Sequence, residues 1–427
     1  MGPVPRKWKI AFMLSGIAAL NYGDRTAISS VFPLLRADLG ISDVVMAGIG
    51  SAFLWSYAIG SPVAGYLADR LSRSRMVLFS LIAWSTVMLL TGFVHSTGVL
   101  LLTRALLGFA ECAYLPASIA LIADHHGVDT RGTAMGFQIA GMNIGLVAGS
   151  AIAGYLGELF GWRIDFFVLG GAGLLLALLA FFVLRDGERA PPAGNTLSGL
   201  SGVSQLLRIP GYVAVLSGAM LISVGTWILL NWLPLYYHDR FHMSLAASGL
   251  SSSSMLQIAA IVGAIGGGFI SDRIARRWPR RRILVLAISY FCAAPFLLSF
   301  SWNASLGVIN ASIFSYSLIK ALGSASECPI ICELAGPRLR STGLGILNMM
   351  NCFAGGVGVM WAGFLKRDYG LGAAFGSISV TVTAAGIVVL AGYYFLSRQH
   401  RRAQTESGIL DVTVSPAGET LVPSSRP

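Results

Sequence analysis

Apolar stretches of about twenty residues recur along the whole chain, separated by short polar breaks. They fall at roughly 8–32, 44–68, 75–94, 97–122, 132–157 and 164–184, then at roughly 211–236, 246–270, 282–301, 304–334, 342–365 and 371–396. A hydrocarbon core about 30 Å thick is crossed by ~20 apolar residues in α-helix, so each stretch predicts one spanning helix. Between the sixth and seventh lies a polar segment from Arg185 to about Arg208. It contains APPAGNTLSGLSG, the Pro/Gly/Ser composition of a linker. The pattern predicts an all-α membrane protein: a six-helix bundle over 1–184, a linker over 185–210, a second six-helix bundle over 211–396 and a disordered tail over 397–427.

Composition narrows the class. Of 427 residues, 55% are hydrophobic and only 11% charged, against ~25% charged in an ordinary soluble chain. A string of soluble domains is excluded, because too few charges exist to wet that surface. Disorder is excluded because so much apolar area is available to bury. The net charge of +11 would elsewhere suggest nucleic acid, but the distribution of the charges accounts for it. Of the 30 Lys and Arg, 22 fall at the termini, in the linker or in even-numbered loops. Five, Arg36, Arg163, Arg240, Lys366 and Arg367, fall in odd-numbered loops. By the positive-inside rule both termini and the linker are expected in the cytoplasm. The first apolar run resembles a signal peptide, but Asn21, Asp24 and Arg25 interrupt it and no small-residue cleavage site follows, so it is read as a retained span. The five cysteines lie in apolar stretches. Cys328 and Cys332 are one helical turn apart, but no histidine is near, and packing is the simpler reading, so no metal is expected.

The halves repeat. GYLADRLSR at 65–73 is echoed by GFISDRIAR at 268–276, RGTAMG at 131–136 by RSTGLG at 340–345, and AGYLGELFG at 153–161 by AGFLKRDYG at 362–370. The last two pairs share an offset of 209. Two like halves in one orientation suit a parallel repeat about an axis along the membrane normal, the build of a carrier whose bundles rock against each other. The glycine-rich GAIGGG at 263–268 lacks the Lys-Ser/Thr of a phosphate loop, and neither hydrolase nor nucleotide motifs occur, so an enzyme is not expected.

Six ionisable residues fall inside spans: Asp24, Arg25, Arg104, Glu111, Lys320 and Glu327. Each costs ~2.5–3.5 kcal/mol at mid-membrane on the insertion scale, so they must pair or line a wet cavity. Structural salt bridges and a transport path both satisfy that condition. Asp24 and Arg25 are neighbours about 100° apart on a helix, so Arg25 can face a central cavity while Asp24 faces an adjacent span. A guanidinium suits bidentate capture of a carboxylate. Arg104 and Glu111, seven apart, share a face at about 10 Å along the axis. That is too far for an ideal direct pair and suits a relay in which each has another partner. A carboxyl group in a dry cavity holds its proton more readily than in water.

With GYLADRLSRSR and its echo, the sequence resembles the major facilitator superfamily over nearly its whole length. NYGDR, SAFLWSYAIGSPVAGYLADR, RALLGFAE and WLPLYY resemble more narrowly the anion:cation symporter family, which includes sugar-acid importers, sialin and the vesicular glutamate transporters. The resemblance implies a twelve-helix major facilitator fold, substrate contact by Arg25, proton coupling by Asp24 and Glu111, and substrate contact by Tyr57. It also implies that a span-five glutamine and a span-eleven asparagine bind sugar-acid hydroxyls, roles that fall to Gln138 and Asn348. Arg104, Asn231, Asn351 and Lys320 are further binding candidates, with Asn143 an open alternative. Interhelical hydrogen bonding is an equally good account of each amide. Lys320 and Glu327, also seven apart, have no role in the family pattern. Either Lys320 is a second anion-binding charge or it is the counter-ion of Glu327. Asp69, Arg70, Arg73 and their echoes Asp272, Arg273 and Arg276 are expected to gate, pairing across the bundle interface in the outward-open state. His125 and His126 are expected in a solvated loop.

The expected function is proton-coupled uptake of a small organic anion, such as a sugar acid, across a bacterial inner membrane by alternating access. Protons are the coupling ion, and no other cofactor is expected. The expected partners are the substrate and the lipid bilayer, not nucleic acid, and a monomer suffices. The competing expectations are a Spinster-type lysolipid carrier and efflux by proton antiport. Arg25, Arg104 and Lys320 disfavour a cationic drug, and the amides weigh against a lipid cavity.

Overall fold

The computed structural model describes residues 5–186, 200–278, 281–302 and 304–413. Linker residues 187–199 and tail residues 414–427 lie outside them. The first half forms α1 (Arg6–Ser30), short α2 (Phe32–Leu39), α3 (Asp43–Arg70), α4 (Arg73–Gly92), α5 (Thr97–Glu111), α6 (Tyr114–His125), α7 (Val128–Phe160) and α8 (Trp162–Val183). After α9 (Leu200–Leu207) come α10 (Pro210–Phe241), α11 (Leu245–Arg277), α12 (Arg282–Ala293) with its 3-10 extension to Ser301, α13 (Leu306–Ser324) and α14 (Glu327–Thr413). The last helix thus continues past 397, where the composition suggested a disordered tail.

Ten of the described segments are long and apolar enough to cross a bilayer. Two features bring this to the twelve windows of the sequence. α1 fails on composition because it carries Arg6, Lys7, Lys9, Asp24 and Arg25. One segment, Thr342–Phe395, has 54 residues, some 80 Å of helix at 1.5 Å per residue, and it breaks at Gly370. That glycine holds φ 82°, ψ 168°. Gly161, at the matching place in the first half, holds φ 84°, ψ 159° between α7 and α8. A residue with a Cβ rarely adopts such a conformation, so the repeat shows in the backbone as well as in the letters. Serine side chains open several helices: Ser42, Ser72, Ser96 and Ser244 accept from the amides of Val45, Arg75, Val99 and Ala247.

Within the first bundle α1 lies on α7 and α4 on α8, and α10 lies on α14 in the second, touching it on both sides of the Gly370 break. The α1–α7 approach depends on Gly141, Gly145 and Gly149. A Cβ on Gly145 would collide with the Ala19 carbonyl, and one on Gly149 with the Gly23 backbone. Neither obstacle is a side chain that can turn away. Gly145→Ala is therefore expected to destabilise the bundle by about 1–3 kcal/mol, measured as a lowered Tm of the detergent-purified protein.

Hydrogen bonds define two ends. At the linker end Arg73 pairs with Asp124, the Ser74 amide donates to Asp186 at 2.8 Å, and Arg282 Nη1 reaches Glu333 at 2.6 Å. At the far end Arg163 gathers Asp38 (2.7 Å), the Val94 carbonyl (3.1 Å) and His95 (3.2 Å). His126 corrects an expectation: it is buried, stacked edge-on to Trp8 at 5.0 Å, with Nε2 3.1 Å from the Lys7 carbonyl. Loss of hydration pushes its imidazole below the usual histidine range. The unfolded chain therefore binds the proton first, and stability falls as pH drops below about 6.5. Thermal melts from pH 7.5 to 5.5 are expected to show this slope. His126→Gln, which keeps an amide donor but takes no proton, is expected to flatten it by at most ~1.4 kcal/mol per pH unit.

Candidate functional site

The two bundles touch along the far half of the molecule, where α3 meets α14 and α7 meets α11. Ser51 donates to the Gly356 carbonyl at 2.8 Å, Trp55 Nε1 to Phe353 at 3.3 Å, and the Leu245 amide to Glu158 at 2.5 Å. Gly154 and Gly249 let α7 and α11 meet backbone to backbone. Along α3, Met46, Ala47, Ile49 and Leu54 are buried, whereas Ile59, Val63, Tyr66 and Leu67, nearer the linker end, are exposed. The bundles are sealed at the far end and part toward the linker end.

An ion pair strengthens the seal. Lys366 Nζ lies 2.8 Å from Asp43 Oδ1, across the interface, and the same carboxylate also takes Arg36. Lys366 is 9% exposed and sits over the Trp232 ring at 5.4 Å. The sequence places Lys366 in an odd-numbered loop and singles out no role for Asp43. One signal was readable, because Lys366 stands where the repeat has Gly157.

Above the opening, α1 and α5 bring four charges together. Arg25 Nε lies 3.1 Å from Glu111 Oε2, and its Nη2 donates to Asn21 Oδ1, one turn back, at 3.1 Å. Three rings surround the guanidinium: Tyr22 at 4.4 Å, Tyr57 at 4.8 Å and Phe53 at 5.2 Å. Arg104 Nη2 donates to Thr91 Oγ1 at 3.4 Å and lies against Phe166. Asp24 faces Trp84 of α4, on the side away from Arg25. Neither of its oxygens has a protein hydrogen-bond partner, nor has Glu111 Oε1. Asp24, Arg104 and Glu111 are all at most 2% exposed. Two cations and two carboxylates balance, yet Arg25–Glu111 is the direct salt bridge among them. A buried cluster with idle acceptors is costly unless its protonation or occupancy changes.

A small recess opens beside Arg25. Arg104, Gly50, Phe53 and Leu107 of the first bundle line it with Trp227 and Asn231 of α10. Gly50 gives room here: a Cβ would stand 2.6 Å from Asn231 Oδ1 and 2.9 Å from Val359 Cγ1, displacing those side chains. The site therefore joins both bundles.

The sequence candidates divide. Arg25, Arg104 and Asn231 line the recess, and Tyr57 is buried beneath Arg25. Gln138 is not on the recess wall: it is buried against α6, donating to Ser118 Oγ at 2.6 Å. Asn348 is exposed, and Asn143 is half-buried, donating to its own helix at Ile139. Asn351 is half-buried, with an unpartnered Oδ1. Lys320 donates to Thr226 Oγ1 at 3.3 Å and Glu327 accepts from Tyr290 at 3.0 Å. At the linker end Arg73 pairs with Asp124 and Asp272 with Arg282 at 2.8 Å, each within its own bundle rather than across the interface. Arg70, Arg273 and Arg276 are exposed, and the side chain of Asp69 lies outside the described residues. What sequence reasoning missed is the direct Arg25–Glu111 pair. Nothing in the spacing announces it, since the partners lie 86 residues apart on different helices.

Known proteins resemble this one in both letters and shape. The "Probable galactarate/D-glucarate transporter GudP" of Bacillus subtilis is 25% identical over 423 residues, covering 91% of each chain. Protein spinster homolog 1 of Xenopus tropicalis is 29% identical over 376 residues, 82% of this chain and 70% of that one. A bacterial homolog of the human lysosomal transporter Spinster, solved inward-facing and unoccupied, superposes with a TM-score of 0.76 at 21% identity, covering 93% of this chain and 98% of its own. The sequence model of the Major Facilitator Superfamily matches residues 14–359. With that match spanning most of both bundles, the chain belongs to the Major Facilitator Superfamily and is an integral membrane transporter rather than an enzyme.

Proposed function

We propose that this protein takes up a small organic anion, such as a sugar acid, together with protons, by the symport expected of the anion:cation symporter family. The observation that carries the reading is the 3.1 Å Arg25–Glu111 pair at the edge of the recess. One guanidinium can serve the Glu111 carboxylate or the substrate carboxylate, so the two compete. A proton on Glu111 removes its charge and releases Arg25 to bind the anion bidentately. Asp24, with both oxygens idle, is the second proton acceptor. Loss of the proton re-forms the Arg25–Glu111 pair and expels the anion. The state described here is the release state, open at the linker end. With the termini in the cytoplasm of a bacterial cell, as the charge bias indicates, that opening faces inward. In the opposite state the linker ends close, and Arg70, Arg73, Arg273 and Arg276 meet carboxylates across the interface. Asn231 and Asn351 supply donors and acceptors for substrate hydroxyls, and Asn348 and Gln138 join them only after rearrangement. The relatives named for galactarate and D-glucarate support an anionic sugar substrate.

The kinship with Spinster proteins supports a second reading, a lysolipid carrier. Proteoliposomes separate the two. With the lumen alkaline and the outside acid, labelled D-gluconate is expected to accumulate several-fold above its level without the gradient, and sugar acids are expected to compete. Gradient-independent uptake, or competition by lysophosphatidylcholine alone, overturns the first reading.

A further inference from the structure

Lys320 is left over by the mechanism above. It lies mid-way along a span, on α13, and is only half-buried. Its Nζ donates to Thr226 Oγ1 of α10 at 3.3 Å and stands 5.9 Å from the centre of the Tyr316 ring. The Tyr316 hydroxyl is buried without a hydrogen-bond partner. Glu327, one of the explanations offered by the sequence, acts on the lysine through its charge but makes no direct salt bridge with it: among the described residues no carboxylate is paired with Nζ within 4.0 Å. Glu327 Oε1 instead accepts from Tyr290. A cation in a span without a direct counter-ion is expensive, so another anion is the economical explanation.

The repeat says where that anion would sit. Ser96 and Ser305 are the N-cap residues of α5 and α13, and they are separated by 209, the offset of the matched loops. On this register Lys320 occupies the place of Glu111. An axis along the membrane normal relates the halves, which puts Lys320 at the depth of Glu111 in the second bundle, behind rather than on the lining of the recess. Its partner Thr226 precedes Trp227, which lines the recess. The first bundle thus offers Arg25, and the second offers an ammonium with two hydroxyls beside it.

We propose that Lys320 receives a second anionic group, so that the substrate is a short dicarboxylate held at one end by Arg25 and at the other by Lys320, Thr226 and Tyr316. The inference rests on the organic-anion reading. A dianion that touches both bundles links ligand occupancy to their approach, which a monoanion on Arg25 alone does not.

D-Glucarate and D-gluconate share a six-carbon chain and differ at one terminus, carboxylate against alcohol, so their affinity ratio isolates the second receptor. Wild-type protein is expected to bind glucarate at least ~10-fold more tightly than gluconate, the value of one charge-assisted hydrogen-bonded contact. Lys320→Gln is expected to collapse the ratio to about two or less by weakening glucarate, and Lys320→Arg to preserve it. Thermal melts report whether each variant is folded. A wild-type ratio near one overturns the proposal even if no variant folds, as does a ratio unchanged in Lys320→Gln. If wild-type protein binds both acids alike, the anion reading stands and only the second receptor falls. If it binds neither, both fall.

Discussion

Glu111→Gln is expected to abolish gradient-driven accumulation while leaving exchange of substrate across the membrane intact. Glutamine has the shape of glutamate and can still accept from Arg25, so the cluster is not emptied. It carries no charge to compete with the substrate and takes up no proton. Arg25 is then permanently available, and binding no longer waits for protonation. Accumulation under an inward proton gradient is expected to fall to the level seen without the gradient, a several-fold loss. Counterflow of labelled against unlabelled substrate is expected to continue. Wild-type uptake falls as external pH rises, and the variant's is expected to be flat. A Glu111→Gln protein that still concentrates substrate with wild-type pH dependence places the coupling proton elsewhere, with Asp24 the next group to test.

The second large effect is expected at the opposite end. Asp43 neutralises Lys366 across the bundle interface, in a pocket that leaves the lysine 9% exposed. Asp43→Asn leaves that cation against Trp232 without its 2.8 Å partner. Removing one member of a buried pair costs more than the pair contributed, because the remaining charge loses its close partner; Asp239, 3.9 Å from Lys366, offsets only part of that loss. The cost falls only on the state with the far end closed, since separation of the bundles lets water reach Lys366. The equilibrium is expected to shift toward the far-end-open state by roughly 5–150-fold, the range of ordinary conformational couplings. A cysteine at Ala47, buried at the seal, reads this directly when the native cysteines are replaced. Its labelling by an impermeant maleimide from the far side is expected to rise in Asp43→Asn and to return when Asp43→Lys is combined with Lys366→Asp. Unchanged labelling in the single variant would show that the ion pair does not hold the seal.

The spans were legible because hydrocarbon imposes a length and a polarity that no neighbour can override. α1 was the hardest of them, since Asp24 and Arg25 lower its hydropathy, yet those same residues marked the site. The four-residue spacing of Gly145 and Gly149 marks them as packing positions. That spacing does not reveal their obstacles, the backbones at Ala19 and Gly23. Gln138 shows the limit of a carried-over role: the residue type fits, but in this state its side chain is committed to Ser118 on α6. His126 shows the limit of reading polarity as exposure, because the Lys7 carbonyl and the Thr130 hydroxyl between them partner both ring nitrogens inside the protein.

From the amino-acid sequence alone came the number of crossings, the two-fold repeat, the bias of basic loops and the short list of charges that lipid would not tolerate. All of these follow from one-dimensional quantities: length, hydropathy and spacing. Only the tertiary structure decided which charges meet. Arg25 takes Glu111 rather than Asp24, Lys320 stands apart from Glu327, and Asp43 reaches Lys366 more than three hundred residues away. The reason is that Coulomb and hydrogen-bond energies change over a few ångströms. Those distances are set by how helices from distant parts of the chain pack, which neither helical periodicity nor composition encodes.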